Sequence, residues 1–161
     1  LEKEWDLEVL DTPGHTMAHL CFLLKKESKP YAVFTGDTLF NAGVGNCYNG
    51  GDPEYLYETI DNIFQNLPDE VLVFPGHEYF NNNLLFTLDR EPENEKAKEM
   101  MEFVKSIDWK SEPFQNDIAG EKLINTFMRL DNKQIKLRLC LDETSSRKDV
   151  FLRLRELRNN W

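Results

Sequence analysis

The most constraining feature of the sequence is an apolar run, residues 31–36, that ends on a single carboxylate, Asp37. The run has the composition of a buried β-strand, so Asp37 is expected at the end of a strand inside a sheet. A carboxylate that is buried without a positive partner costs several kcal/mol. The partner that we expect for Asp37 is a metal ion.

Two histidines follow strand-like segments in the same way. His15 comes after an alternating apolar pattern at residues 5–9 and a Pro-Gly pair, and His77 comes after the apolar run 71–74 and a second Pro-Gly pair. Because a Pro-Gly pair ends a strand, we expect His15, Asp37 and His77 to reach one edge of the same sheet. Imidazole and carboxylate ligands suit Zn²⁺ and also Fe or Mn, so the sequence predicts a metal site there.

The order of the predicted elements favours a layered α/β fold. Strands are expected at residues 5–9, 19–24, 31–36 and 71–74. The continuous apolar composition of the last of these is typical of a strand that is covered on both faces. A helix is expected to start at Asp52-Pro53, because an acidic N-cap followed by proline is a common helix start. Its apolar stripe is expected to pack on the sheet.

The second half of the chain is expected to be helical. Helices are predicted at residues 79–88, from Pro92 onward and from Ser146 onward. In the last helix, the apolar residues are spaced to face inward, whereas Arg153, Arg155 and Arg158 are expected to face mostly outward. The sequence therefore predicts an α/β domain at residues 1–78 and a helical domain at residues 79–161.

Composition argues against several classes of protein. The formal net charge of −10 argues against a nucleic-acid surface, which needs a basic face. No apolar stretch is long enough to cross a membrane, and no export signal precedes the first predicted strand. The cysteines, Cys21, Cys47 and Cys140, are odd in number and lack CxxC spacing. This favours free thiols in a reducing compartment, and we expect the protein in the cytoplasm.

The charge is unevenly distributed along the chain. Residues 122–161 carry 10 basic and 5 acidic residues, although the chain as a whole is acidic. A basic segment on an acidic body suits a small anionic ligand held between them. On charge alone, a solvated basic helix face remains the alternative.

Five ordered motifs resemble a known enzyme family over nearly the whole chain. They are Thr12-Pro-Gly-His-Thr16, Gly36-Asp-Thr-Leu-Phe40, Pro75-Gly-His-Glu-Tyr79, Glu91-Pro-Glu-Asn94 and Phe127-Met-Arg129. Together they resemble glyoxalase II, the hydroxyacylglutathione hydrolases of the metallo-β-lactamase superfamily. The resemblance implies the second half of a metallo-β-lactamase αββα sandwich, followed by a helical substrate-binding domain.

The resemblance also implies a reaction and its metal ligands. It implies a dinuclear zinc site in which His15 binds one ion, His77 binds the other, and Asp37 bridges them as the catalytic carboxylate. A hydroxide between the ions would attack a thioester carbonyl, as in the hydrolysis of S-lactoylglutathione to D-lactate and glutathione. Fe or Mn could replace zinc.

The residues that hold the thiol part of the substrate are implied by position in the same family. They are Tyr48 in a glycine-rich loop, Tyr79 after the last ligand histidine, and Arg129 and Lys133 in the helical domain. Asn46 stands where the family usually has Lys or Arg, so a cation expected near a glutathione carboxylate is absent there. A related thiol is therefore the alternative to glutathione.

Other departures from the family pattern are interpreted as packing changes. Val44 replaces a usual cysteine, Ala18 a glycine, and Thr126 the proline before the Phe-Met-Arg motif. His19 is interpreted as a structural residue on the second strand.

The first metal motif of the family, Thr-His-x-His-x-Asp-His, does not occur in this sequence, which has only His15, His19 and His77. A catalytic zinc ion takes three protein ligands and water, so two ions cannot be completed by the residues present. We therefore expect this chain to be the C-terminal part of an enzyme whose N-terminal half is its partner. Alone it is expected to bind metal weakly, to be inactive, and to expose one face and edge of its sheet.

Two alternatives remain open. One is a persulfide dioxygenase-like enzyme of the same superfamily with mononuclear iron, and the other is a non-catalytic remnant that kept the fold for binding. The Asp37-Thr-Leu-Phe40 motif and the long helical tail argue against the first. The retention of three polar groups at strand ends argues against the second. Metal content would separate these readings.

Overall fold

The computed structural model describes residues 4–107 and 114–161. Within these ranges the strands are β1 (Trp5–Asp11), β2 (Leu20–Lys26), β3 (Lys29–Gly36), β4 (Leu39–Phe40), β5 (Gly43–Val44), β6 (Leu72–Pro75) and β7 (Asn116–Asp117). The helices in the same ranges are α1 (Pro53–Asn62), α2 (Phe80–Arg90), α3 (Glu95–Ser106), α4 (Ile118–Ile124), α5 (Lys133–Arg138) and α6 (Arg147–Asn159). The predicted α/β class is confirmed.

The main sheet is mixed and has the strand order β1-β2-β3-β6-β7. Strands β1, β2 and β3 are antiparallel, and β6 runs parallel to β3 because the chain between them crosses over through α1. Strand β7 pairs with β6, so a segment from the predicted helical half returns to the sheet. The sequence does not predict β7, because two residues are too few to show an alternating pattern. Strands β4 and β5 form a separate hairpin.

Helices cover one face of the sheet. The buried side chains on this face include Cys21, Leu23, Val33 and Val73, and they share a hydrophobic cluster with Leu56 and Ile60 of α1. Helix α1 starts as predicted, since the Asp52 carboxylate accepts hydrogen bonds from the N–H groups of Glu54 and Tyr55. The crossover helix therefore forms the layer that the apolar stripe predicts.

The other face of the sheet is largely open and apolar. A row of side chains crosses four paired strands in register at Val9, Phe22, Phe34 and Phe74. Val9 is 55% exposed and Phe34 is 43% exposed. On this face Phe74 is half-buried and stacks on Phe34 at 5.2 Å, whereas Val73 on the opposite face is buried. The prediction that residues 71–74 are covered on both faces therefore holds for one face only.

The start of one predicted helix and the direction of one predicted side chain differ from the sequence-based expectation, whereas the start of the last helix agrees with it. Helix α3 begins at Glu95 rather than at Pro92, because the side chain of Asn94 caps it by accepting from the Ala97 N–H. Helix α6 begins after Ser146, as predicted, with a capping box. Arg155 on α6 is only 5% exposed, so its predicted outward direction is wrong. Its guanidinium lies inside because main-chain carbonyl groups are available there to accept its N–H groups.

The sheet and the second half of the chain share a core. One hydrophobic cluster joins Val33 of the sheet with Ile135 of α5 and Leu154 of α6. A second cluster, which includes Phe80, Leu84, Met101 and Ile124, holds α2, α3 and α4 together. The boundary between residues 78 and 79 stays a prediction. In the described ranges no helix is long and apolar enough to span a membrane.

Two glutamates of the helical half are buried with different partners. Glu91 is 1% exposed, and its carboxylate accepts from the Arg129 guanidinium and from the side chain of Asn132. Glu121 is fully buried and accepts from the side-chain amides of Asn116 and Asn125 and from a backbone N–H group. Burial raises the pKa of Glu121 to about 7, although the same hydrogen bonds act in the opposite direction.

The raised pKa of Glu121 predicts a pH dependence of stability. The folded state binds the proton more tightly than the unfolded state, so this contribution is present below about pH 4.5 and is lost as the pH rises through about 7. A shift of this size corresponds to on the order of 3 kcal/mol. Urea unfolding of the chain and of Glu121→Gln across this range should show the two free energies of unfolding diverging with pH. Parallel pH profiles would contradict the prediction.

Candidate functional site

The three predicted metal ligands lie together at one end of the sheet. Nε2 of His15 lies 3.5 Å from Oδ2 of Asp37, and Nε2 of His77 lies 3.3 Å from Oδ1 of the same carboxylate. The parallel strands β3 and β6 end side by side, which delivers Asp37 and His77 to one edge. His15 reaches this edge from the loop after β1. The His77 side chain is 55% exposed, so the group opens to solvent.

The separations fit ligands that share metal ions. Two donors at about 2.1 Å from one tetrahedral ion lie about 3.4 Å apart, whereas hydrogen-bonded atoms lie about 2.9 Å apart. Each histidine meets a different oxygen of Asp37, as a bridging carboxylate requires. In the described ranges, however, no group of three or more His, Cys, Asp or Glu side chains is arranged to hold an ion as it stands. The three residues therefore fit part of a metal site and do not complete it.

The ring of His15 is oriented by the main chain. Its Nδ1 lies 2.7 Å from the carbonyl oxygen of Asn46 and donates to it, because a carbonyl oxygen can only accept. This bond places a proton on Nδ1, so that the neutral form of the ring presents the lone pair of Nε2 to Asp37. Gly45 allows this close approach, since a Cβ at that position would lie 1.9 Å from the carbonyl oxygen of Asp37. A main-chain partner of this kind is typical of histidines that bind metals.

His19 uses both ring nitrogens within the protein, as a structural residue does. It precedes β2 rather than lying on it. Its Nε2 accepts from the backbone N–H of Asp37 at 3.2 Å, and its Nδ1 lies within hydrogen-bonding distance of the hydroxyl groups of Thr12 and Thr38. Burial, and secondarily the nearby His15, lower its pKa. Because Nε2 accepts a hydrogen bond, it is the neutral imidazole of His19 that positions the main chain of Asp37.

A pocket of about 360 Å³ lies next to the candidate ligands, and two of its lining residues contact them: Tyr79 lies beside His77, and the Asn46 carbonyl binds His15. Tyr79 links the two sites, because its ring lies 5.5 Å from the ring of His77 and also lines the pocket. Asn46 and Tyr48 lie in the same wall, so the structure brings three of the predicted substrate residues together. The hydroxyl group of Tyr48 donates to the carbonyl oxygen of Asn159 at 3.2 Å.

Arg155 and Arg158 of α6 also line this pocket. In the described part of the chain, no carboxylate oxygen lies within 4.0 Å of either guanidinium, whereas Arg129, Arg147 and Arg153 each have an acidic partner. Burial lowers the pKa of Arg155 to about 10 and also lowers that of Arg158. Both remain cationic near neutral pH, so the pocket holds positive charge that the described residues do not neutralise.

Arg129 and Lys133, to which the family resemblance assigns substrate binding, do not line this pocket. The Arg129 guanidinium is held by the buried carboxylate of Glu91 and by the carbonyl oxygen of Lys122. Lys133 is exposed and pairs with Glu143 at 3.0 Å. Arg129 stabilises the helical half because Glu91 would otherwise be a buried and unpaired charge.

The two pocket arginines are missed by sequence reasoning because helical periodicity assigns charged side chains to the solvent face. The available signal is their spacing. Arg155 and Arg158 are three residues apart on α6 and therefore lie on one side of the helix. Of the departures from the family pattern, Val44 lies in the pocket wall, Thr126 in the core and Ala18 at the surface.

Comparison with known proteins identifies the second half of the chain most directly. The sequence model of the family described as "Hydroxyacylglutathione hydrolase C-terminus" matches residues 78–161. A hydroxyacylglutathione hydrolase of Nitrosococcus oceani is 55% identical over 160 residues, which are 96% of this chain and 60% of that protein. One of Polaromonas sp. is 46% identical over 99% of this chain and 61% of its own length. The chain thus spans about 60% of the length of these curated relatives.

Solved structures show the same fold. ETHE1 from Myxococcus xanthus superposes with a TM-score of 0.54 at 25% identity, covering 94% of this chain and 45% of that one. A metallo-β-lactamase from Staphylococcus aureus superposes with a TM-score of 0.53 at 21% identity, covering 98% of this chain and 41% of that one. The family model matches more than half of the residues of this chain, and the two hydrolases align along nearly all of it. The chain therefore belongs to the hydroxyacylglutathione hydrolase family.

Proposed function

We propose that this chain carries part of the active site of a metal-dependent thioester hydrolase. The observation that carries the proposal is the adjacency of two features. One is the His15–Asp37–His77 group, and the other is a pocket with two cations that have no acidic partner among the described residues. An anionic thiol ester bound in the pocket would place its carbonyl carbon beside Asp37.

His15, Asp37 and His77 are the residues that would hold the metal, and Asp37 would offer both of its carboxylate oxygens. When bound, zinc, or Fe or Mn in its place, supplies a hydroxide at neutral pH and polarises the thioester carbonyl. The protein contributes the orientation of the ligands. The Asn46 carbonyl holds the His15 ring, and His19 holds the backbone N–H of Asp37. These contacts support a preformed ligand set.

The pocket would bind the thiol carrier through charge and hydrogen bonds. Glutathione carries two carboxylates, and the guanidinium groups of Arg155 and Arg158 are suited to bind carboxylates. The side-chain amide of Asn46 can donate to a peptide carbonyl group, and the oxygen of Tyr48, whose proton is donated to Asn159, can accept from a peptide N–H group. The ring of Tyr79 closes the side toward His77. Asn46 removes one cation relative to the family pattern, but the arginines of α6 supply positive charge to the same pocket. Glutathione, or a thiol with similar acidic groups, is therefore the proposed carrier.

The remaining metal ligands would come from outside these 161 residues. Three ligands shared between two ions leave each ion incomplete. The longer curated relatives make an N-terminal partner segment of the same enzyme the natural source, and residues 1–78 would then be its continuation. We further propose a cytoplasmic protein, on the basis of its free thiols.

The test compares the longest form of the protein that can be expressed with the 161-residue chain. Hydrolysis of S-lactoylglutathione and metal content are measured for both. We expect two metal ions per molecule and turnover in the long form, and neither in the short one. A single iron would favour the dioxygenase alternative, and a long form without metal or turnover would favour the non-catalytic remnant. Full activity of the short chain would contradict the proposed need for outside ligands.

Loss of the bridging carboxylate should weaken metal binding. The chain is expected to bind Zn²⁺ weakly, and Asp37→Asn should lower the affinity at least about tenfold, since an amide is a poorer ligand than a carboxylate. Competition with a metal-sensitive dye measures this. The control is Asp89→Asn, an exposed carboxylate on α2. Equal affinities of the Asp37 variant and the unmodified chain would contradict the assignment.

Removal of one pocket cation should weaken binding of the thiol carrier. S-methylglutathione, which cannot be hydrolysed at a thioester, serves as the probe in titration calorimetry. Arg158→Gln should raise its Kd about 10- to 100-fold, because a hydrogen bond to a charged group contributes about 1.5–3 kcal/mol. The matched control is Arg153→Gln on the solvent face of the same helix, where no change is expected. If both variants bind equally well, the pocket is not the carrier site.

A further inference from the structure

The turn between β4 and β5 is held from outside by buried side chains of the helical half. The amide of Asn83 donates to the carbonyl oxygen of Asn41 at 2.9 Å, and the amide of Asn125 donates to that of Gly43 at 3.1 Å. Between them, the backbone N–H of Ala42 donates to the carboxylate of Glu121 at 3.0 Å. Three consecutive residues of the turn are thus each hydrogen-bonded through the main chain to a side chain that is distant in the sequence.

Glu121 is the centre of this network. It is fully buried, and its oxygens also accept from the amides of Asn116 at 2.6 Å and Asn125 at 2.8 Å. In the residues that the structure describes, no cation lies within 4.0 Å of it. A buried carboxylate that has only amide partners is expensive to keep in a hydrophobic core. Its clearest use is at Ala42, whose φ of +57° is unfavourable for a residue other than glycine.

The turn is continuous with the segment that orients His15. Strand β5 ends at Val44, and Arg155 binds the carbonyl oxygens of Val44 and Gly45 at 3.1 and 2.8 Å. The next carbonyl group, that of Asn46, accepts from Nδ1 of His15. Because Ala42 and Asn46 are only four residues apart in the chain, a shift of the turn would move the carbonyl group that fixes the His15 ring.

We propose that Glu121 is a positioning residue for the metal site. Its carboxylate holds the β4–β5 turn, the turn sets the place of the Asn46 carbonyl, and that carbonyl keeps Nε2 of His15 facing Asp37. The proposal rests on the proposed function only in taking His15 as a metal ligand. The positioning itself is a property of the metal-free chain.

Glu91 provides a matched control for the effect of losing a buried carboxylate. It is 1% exposed and lies in the same half of the chain. Its partners are Arg129, Asn132 and Asn94, and none of them belongs to the hairpin. Glu91→Gln should therefore reduce stability without affecting His15.

The first measurement uses the metal-free chain at pH 8, where the Glu121 carboxylate is mostly ionised. Nitrogen-15 NMR reports the tautomer of His15, and hydrogen exchange reports the N–H of Ala42. In Glu121→Gln, the side-chain NH₂ group would point at N–H donors and could not accept from them. We therefore expect the Ala42 N–H to exchange at least tenfold faster, and the His15 ring to populate both tautomers. Glu91→Gln should leave both readings as in the unmodified chain. Unchanged readings in Glu121→Gln would overturn the proposal.

The second measurement is the Zn²⁺ affinity of the same proteins. Loss of an outer partner of a metal ligand typically weakens binding 10- to 100-fold, and we expect about a tenfold loss in Glu121→Gln but none in Glu91→Gln. If the unmodified chain binds no Zn²⁺, the expectation that this chain binds metal weakly is wrong, and the NMR result alone decides the role of Glu121. If Glu121→Gln binds Zn²⁺ as tightly as the unmodified chain, the positioning role of Glu121 is overturned.

A second variant covers the case in which Glu121→Gln does not fold. Glu121→Asp keeps the charge but shortens the side chain by one methylene group, so it cannot reach Ala42 and both asparagine amides together. We expect an intermediate exchange rate at Ala42 and a partial loss of the His15 tautomer preference. A folded Glu121→Asp chain with unaltered Ala42 exchange and His15 tautomer would refute the positioning role.

Discussion

Hydrogen bonds from buried side chains to the main chain of residues 37–48 are the interaction on which the site depends. This segment carries Asp37 at one end and Tyr48 at the other, and its only regular structure is a hairpin of two-residue strands. So short a ladder cannot define a conformation by itself. The contacts from Glu121 and Arg155 supply what the hairpin lacks. The proposed metal ligands and the pocket therefore share one support.

The two buried glutamates illustrate two ways to keep a carboxylate inside a protein. Glu91 has a guanidinium partner, and the pair ties α2 to the segment before α5. Among the residues that the structure describes, Glu121 has only uncharged N–H donors as partners, and burial raises its pKa to about 7. Neither arrangement is required for a hydrophobic core, since apolar residues of similar volume are often at least as stable. Both fix the path of the chain, which apolar contacts alone specify less tightly.

Two surface features of the chain suit contact with other molecules: a positively charged pocket and an open apolar face of the sheet. Arg155 and Arg158 keep a positive pocket within an acidic protein, which favours an anionic ligand. The row from Val9 to Phe74 leaves apolar area open on the sheet. A cross-strand aromatic row is ordinarily found beneath another layer of structure. The chain that carries this site and this open face spans about 60% of the length of its curated relatives.

The sequence by itself determined the α/β class, the crossover helix with its Asp52 cap, and the convergence of His15, Asp37 and His77. These follow from local periodicity, capping chemistry and turns at strand ends, all of which are written in neighbouring residues. Only the tertiary structure decided that Arg155 and Arg158, rather than Arg129 and Lys133, line the pocket. It also decided that β7 joins the sheet and that Glu121 holds the hairpin. The reason is that a charged side chain takes its role from the partner it meets, and here each partner is many residues away along the chain.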